Sequence, residues 1–340
     1  MAISTSNSPT PESSNNKVYL PIPPPDGLYS ENPQEKLTEI EQEHYDVVFS
    51  HFNNSEYKLP GFEDLDKAKE RLEEVRKREG FESEMRRREW TAELVEEEKF
   101  WLSYECILRY LRASKWKSEM AIERLENTLN WRREFGIYDL ITNDYISIEG
   151  ETGKAIIFGY DVKGRPTLYM IPSRQNTEEG PRQIHYTVWL LERCVDLMPP
   201  GVENLAIMLN FAANGKNTSL SVARTVLNIL QDHYPERMGI TLIIQVPFIV
   251  NLFFKMILPF VDPVTRQKIK FNPNVIEDGL VEKEMLVKEW WGGEQDLEYV
   301  HEKFFKALVD MGEGRVGRWM GKWRVLGGRV GVKEWDYKRE

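Results

Sequence analysis

The chain has 340 residues, 45 of them Lys or Arg and 55 Asp or Glu, for a formal net charge of -10 with the five His neutral. Hydrophobic residues make up 41%, enough for a buried core, and the length suits about two domains. The acidic balance excludes a general nucleic-acid binder, which needs clustered Lys and Arg to neutralise phosphates. The excess is local: residues 1–100 hold 13 basic and 23 acidic side chains, and the rest of the chain holds 32 of each.

Cys106 and Cys194 sit among apolar neighbours. Two cysteines exclude a disulfide scaffold and read as reduced core thiols of a cytoplasmic protein. The first residues, Met-Ala-Ile-Ser-Thr-Ser, have neither the basic region nor the apolar run of a signal peptide. The longest apolar run, Val246 to Val261, is broken by Pro247, Asn251, Lys255 and Pro259. It falls short of the ~20 residues that span a bilayer.

Residues 1–60 read as a largely disordered leader, Ser-, Asn- and Pro-rich over its first 35 positions, with Pro21-Ile-Pro23-Pro24-Pro25 suited to an extended polyproline segment. From Glu63 to Phe100 charges of both signs interleave at helical spacing, which predicts a solvated helix. Ile107, Tyr110 and Leu111 then share one helix face. After a break at Lys115-Trp116-Lys117, a second helix runs from an N-cap at Ser118 to a C-cap at Gly136. Residues 61–138 thus form a helical subdomain.

The pattern changes from residue 139. Ala155–Tyr160 and Pro166–Ile171 predict two strands joined by a turn at Asp161-Val-Lys-Gly164. A helix over 182–198 follows, then a strand over 205–211, a helix over 219–231 and a strand over 240–246. Apolar strands alternating with helices imply an α/β domain over 139–310, with a mixed, partly parallel sheet covered by helices. Asp262 and Pro263 open a further helix, and the last one ends near Asp310. Residues 311–340 form a basic tail rich in Gly and Trp. Trp319, Trp323 and Trp335 among Arg and Lys suit contact with an anionic membrane as well as a disordered end.

Catalytic signatures are absent from the sequence: there is no P-loop, no Gly-x-Ser-x-Gly elbow and no Cys/His cluster at zinc spacing. Gly312-Glu-Gly314-Arg-Val-Gly317 fits the dinucleotide fingerprint, but no strand precedes it, so it reads as a chance match. His185 and His233 read as surface or core histidines. The stretch 247–259 is more informative. Phe248, Ile249, Leu252, Phe253, Met256 and Ile257 form a broad apolar helix face, with Val250, Phe254 and Leu258 on the other side. Such a helix needs apolar surroundings nearly all round, either as a core helix or as a lipid-facing element. Polar residues flank it: His233-Tyr-Pro-Glu236-Arg237-Met-Gly239 before it, and Asp262-Pro-Val-Thr265-Arg-Gln-Lys268 after it.

Taken with Leu108-Arg-Tyr-Leu-Arg-Ala-Ser-Lys115-Trp, Trp131-Arg-Arg-Glu-Phe-Gly136, Gly164-Arg-Pro166 and Trp291-Gly-Gly293, these segments resemble the CRAL-TRIO lipid-binding family, specifically the fungal secretory-type phosphatidylinositol transfer proteins. The resemblance covers roughly residues 95–305. Ser173-Arg-Gln-Asn-Thr177 and Leu191-Glu-Arg193 resemble its branch associated with azole and multidrug tolerance. It implies the CRAL-TRIO fold, a helical N-terminal module packed on an α/β domain whose sheet floors an apolar pocket, with 248–258 as a gate. It also implies a non-enzymatic protein with no metal or cofactor, which encloses one phosphatidylinositol and exchanges it at cytoplasmic membrane surfaces, such as endoplasmic reticulum, lipid droplets or the cell periphery. The inositol-phosphate contacts carry over to Glu236, Thr265 and Lys268, with Lys115 and Arg237 as supporting cations. Asn210-Phe-Ala-Ala213 departs from the acidic residue and glycine of many relatives, and leaves a sterol or a second phospholipid open as counter-ligand. A regulator presenting phosphatidylinositol to a lipid kinase is the alternative reading.

Overall fold

A computed structural model describes residues 17–81, 88–212, 220–257 and 266–339. The first helix, α1 (Glu39–Phe52), lies inside the segment expected to be disordered. Its acidic residues alternate with Tyr45, Val48 and Phe52, whose spacing lines one buried face. A capping box starts it, Thr38 accepting from the Glu41 backbone and Glu41 accepting from Thr38 N at 2.9 Å.

The charged stretch that follows gives α2 (Leu65–Arg78) and α3 (Glu96–Trp101), and it is not simply solvated. Arg76 is buried against Asp139 at 2.9 Å. Glu98 and Arg133, both fully buried, meet through two hydrogen bonds of 2.6 and 2.7 Å. Interleaved charges on a helix thus conceal two that cross to other elements. Next come α4 (Tyr104–Ala113), capped by Ser103, and α5 (Ser118–Glu134). Lys117 takes the N-cap of α5, while Ser118 begins the helix and bonds His44 Nδ1 at 2.8 Å. Gly136 sits just past the C-cap with φ +79°, where a left-handed residue ends a helix.

After α6 (Asn143–Gly150) come β2 (Ala155–Tyr160), β3 (Pro166–Met170), α7 (Pro181–Leu197), β4 (Leu205–Asn210), α8 (Leu220–His233), β5 (Met238–Ile244), α9 (Phe248–Ile257) and β6 (Ile269–Phe271). The five strands form one sheet in the order β2-β3-β4-β5-β6, antiparallel between β2 and β3 and parallel elsewhere, so it is mixed as expected. The helix expected at Asp262 and Pro263 begins outside the described residues. Lys17–Val18 (β1) pairs in parallel with Asp296–Leu297 (β7), which ties part of the leader to the α/β domain. Cys106 and Cys194 are buried free thiols.

The helix expected to stop near Asp310 continues to Val325 (α10, His301–Val325), and α11 (Glu334–Lys338) follows. Gly312, Gly314, Gly317 and Gly321 lower its propensity. Packing overrides this, since Phe304, Leu308, Gly312, Arg315, Trp319 and Trp323 make a buried stripe at steps of three and four. Trp319, Trp323 and Trp335 are therefore not membrane-facing; the first two cluster with Tyr337 and Phe100. The tail closes on the helical module. Glu334 accepts from Ser103 Oγ at 2.8 Å, lies 3.4 Å from Arg109, and donates its backbone N–H to Glu105 at 2.7 Å.

Two histidines, His185 buried and His233 half-buried, give stability a pH dependence. His233 lies flat on Trp131 with ring centroids 4.0 Å apart, and His185 stacks on Phe81 at 4.4 Å. Burial, with Arg132 near the first and Arg182 near the second, pushes them down to about 3 and about 4. Both stay neutral in the folded chain, whereas the unfolded chain protonates them below about pH 6.5. Their contribution is complete above that pH and is lost progressively as the pH falls from there towards about 4 and about 3. Urea titrations should show stability falling from about pH 7 to pH 5, and falling less in the His185→Gln/His233→Gln variant. Equal slopes would show that other groups carry the effect.

Candidate functional site

Strand register decides which side chains share a face of the sheet. Leu168, Ile207, Thr241 and Ile269 align across β3 to β6, as do Met170, Leu209, Ile243 and Phe271. On this face Met170, Ile207, Leu209 and Ile269 are only half-buried and Phe271 is exposed, although Leu168 and Ile243 are covered. On the opposite face Tyr169, Ala206, Met208 and Leu242 are all buried. One apolar face is thus closed by protein, and the other is left incompletely covered.

The helix α9 lies beside that second face, with Phe254 edge-on to Phe271 at a centroid distance of 5.3 Å. It is helical over Phe248–Ile257 of the predicted 248–258, Leu258 lying outside the described residues, and Phe248 and Leu252, one turn apart, are 82% and 51% exposed. Large apolar side chains so exposed mark a surface made to meet something apolar. The side chains of Ile249, Phe253, Met256 and Ile257 lie outside the described ones.

Polar groups gather at the start of β5 and β6. Lys268, just before β6, donates from Nζ to Met238 O at 3.0 Å, and its carbonyl accepts from Thr241 N at 2.9 Å. The Thr241 hydroxyl beside it is buried, with no hydrogen-bond partner among the described residues. Glu236 is exposed, holds φ +59°, and accepts from Arg112 Nε of α4 at 2.7 Å. Glu236 and Lys268, which are 32 positions apart in the chain, thus flank Met238.

The remaining predicted residues fall differently. Lys115, three positions beyond Arg112, is exposed in a left-handed turn with Trp116 (φ 53° and 58°) between α4 and α5. Arg237 points inward and is buried, donating to Glu203 O at 2.7 Å. Burial and nearby Arg109 lower its guanidinium below the ordinary arginine range. Thr265 lies outside the described residues. Sequence reading missed the link through Arg112, and Glu203, which accepts from Arg109 at 2.6 Å and lies 3.6 Å from Arg112. Arg109 and Arg112, three apart on one helix, were the available signal.

Among the described residues no helix is long and apolar enough to cross a membrane, and no group of His, Cys, Asp and Glu is arranged to hold a metal ion. A helical module, a mixed sheet with one incompletely covered apolar face, and an apolar helix beside that face define an α/β protein built around an apolar site. The chain belongs to the CRAL/TRIO family: the CRAL/TRIO domain matches residues 150–293 and the CRAL/TRIO N-terminal domain residues 44–127. It is 34% identical to phosphatidylinositol transfer protein PDR17 of Saccharomyces cerevisiae, over 95% of this chain and 89% of that protein. It is 47% identical to a CRAL-TRIO domain-containing protein of Schizosaccharomyces pombe over 72% of this chain, which spans only 24% of that longer relative. A SEC14 cytosolic factor of Yarrowia lipolytica is 32% identical over 48% of this chain and 37% of its own.

Proposed function

We propose that the chain binds one phosphatidylinositol between the β3–β6 sheet face and α9, and transfers it between membranes without catalytic chemistry. The observation that carries this reading is the incompletely covered apolar face beside a helix that exposes Phe248 and Leu252. The similarity to a phosphatidylinositol transfer protein over nearly the whole chain supports the lipid named. Burying a CH₂ is worth about 0.8 kcal/mol, so exposing one C16 acyl chain to water costs on the order of 12 kcal/mol. A carrier must offer an equally dry site, which explains apolar strands and an apolar helix.

In this reading α9 is the gate, and Ile249, Phe253, Met256 and Ile257 face the acyl chains. Lys268 offsets the phosphodiester charge, Thr265 donates a hydrogen bond, and Glu236 accepts from inositol hydroxyls. Lys115 supplies a cation at the rim, while Arg237 holds the Glu203 backbone, and Glu203 lies beside the Arg112 that bonds Glu236. Residues 101–310 carry 24 basic and 28 acidic groups, so docking on cytoplasmic membrane surfaces rests on insertion of Phe248 and Leu252 more than on charge. A sterol or a second phospholipid is the exchange partner. Mass spectrometry of an organic extract of the purified protein should find phosphatidylinositol at close to one per chain. An extract without inositol phospholipid would overturn the reading. Vesicle-to-vesicle transfer in the absence of any kinase separates carriage from presentation to a lipid kinase.

A further inference from the structure

We infer that a cleft between the helical module and the C-terminal helices is a second small-molecule site, for an uncharged, flat, ring-containing compound. The cleft, of about 660 Å³, opens where α3, the connection from α5 to α6, α7, α10 and α11 meet. Its volume is that of a site for a drug-sized molecule. Among the described residues none of β2 to β6 lines it, and Arg237, just before β5, is its one lining residue shared with the proposed headgroup region, so it is separate from the sheet face beside α9.

The wall chemistry selects the class of ligand. Phe100, Trp101, Tyr138, Trp189, Trp319 and Tyr337 supply aromatic surface. Most charged side chains of the wall are paired in place: Arg132 holds Glu192 at 2.8 Å, Arg193 holds Asp196 at 2.6 Å, Lys338 holds Glu334 at 2.6 Å, and Asp139 is held by Arg76 at 2.9 Å, while Arg237 is tied to Glu203 O at 2.7 Å. Glu97 is likewise held by Arg88 at 2.9 Å, and Glu313 accepts from Asn143 at 2.8 Å. A charged ligand would lose its hydration and find opposing charges already engaged. An uncharged planar solute instead gains from stacking and from removing aromatic surface from water.

Gly317 offers a way to block the cleft. It lines the cleft from the interior of a 25-residue helix, where glycine is a poor former. A Cβ added there would meet nothing within 4 Å. Among the described residues nothing crowds this position, so a large side chain there would extend into the cleft.

The test uses the full chain loaded with phosphatidylinositol and titrated with 6-propionyl-2-(dimethylamino)naphthalene, an uncharged bicyclic fluorophore. Saturable, blue-shifted emission is expected, with affinity at least tenfold weaker in Gly317→Trp and unchanged in Gly317→Ala. Equal affinity in a folded Gly317→Trp variant, or loss of the signal on loading with phospholipid, overturns the proposal. Should Gly317→Trp fail to fold, photolabelling of the wild-type protein with 3-trifluoromethyl-3-phenyldiazirine decides. Label in peptides covering 188–196 and 316–320 supports the site, and label confined to β3–β6 and α9 overturns it. Photolabelling needs no bound phospholipid, so its outcome is independent of whether the chain carries phosphatidylinositol.

Discussion

Replacing Lys268 by alanine should slow phosphatidylinositol transfer between vesicles by at least about tenfold while leaving the fold intact. The ammonium already donates to Met238 O at 3.0 Å, so it is held at the start of β5 with donors to spare. A charge-assisted hydrogen bond to a phosphate contributes about 1.5–3 kcal/mol, or roughly ten- to hundredfold in affinity. Glu236→Gln should act in the same direction, because it removes the acceptor charge and weakens the 2.7 Å bond from Arg112 to a neutral one. Glutamine keeps a side chain of the same length at the φ +59° position and limits any backbone effect. The measurement is transfer of labelled phosphatidylinositol between donor and acceptor vesicles, with thermal melts as the control for folding. Wild-type transfer rates in both folded variants would remove Glu236 and Lys268 from the headgroup site.

The largest effect on stability is expected at Arg133. Its guanidinium is fully buried, bonds Glu98 twice, and also donates to Thr91 O at 2.7 Å and Glu93 O at 3.0 Å. Phe62 and Trp90 lie against it, with ring centroids 4.4 and 4.7 Å from Cζ. Arg133→Met strips a buried carboxylate of its partner, and removing one member of such a pair costs about 3–5 kcal/mol. The Glu98→Met/Arg133→Met double variant removes both charges and should recover part of that loss in urea unfolding. A single variant that unfolds at the wild-type midpoint would show that Glu98 finds compensation elsewhere.

These two regions differ in how visible they were in the sequence. Strands β2 to β5 were legible because each is an uninterrupted apolar run set off by turn residues, as at Asp161-Val-Lys-Gly164. The strand β6 is three residues long with a lysine in its centre, too short for any periodicity. The helix α1 was hidden by its acidic residues, and α10 by its glycines, because in both cases tertiary packing outweighs composition. The Glu98–Arg133 pair joins positions 35 apart, and the Arg112–Glu236 bond positions 124 apart. Local spacing cannot show such pairs, so Glu236 and Lys268 were proposed from family resemblance. Arg237 shows the limit of carrying residues over by motif. The left-handed backbone at Glu236 turns consecutive side chains apart, sending one to the surface and the next into the interior.

The anchoring of Glu334 on α4 bears on the order in which the chain can mature. Val330 belongs to the core of the helical module, Gly331 N bonds Leu102 O at 2.8 Å, and the Glu334 carboxylate faces the buried guanidinium of Arg109. A nascent chain leaving the ribosome therefore presents a helical module with an open flank throughout synthesis of the α/β domain, although N-terminal units ordinarily fold first. Only when residues 330–334 have emerged can that flank close, so the helical module is completed after the α/β domain that follows it.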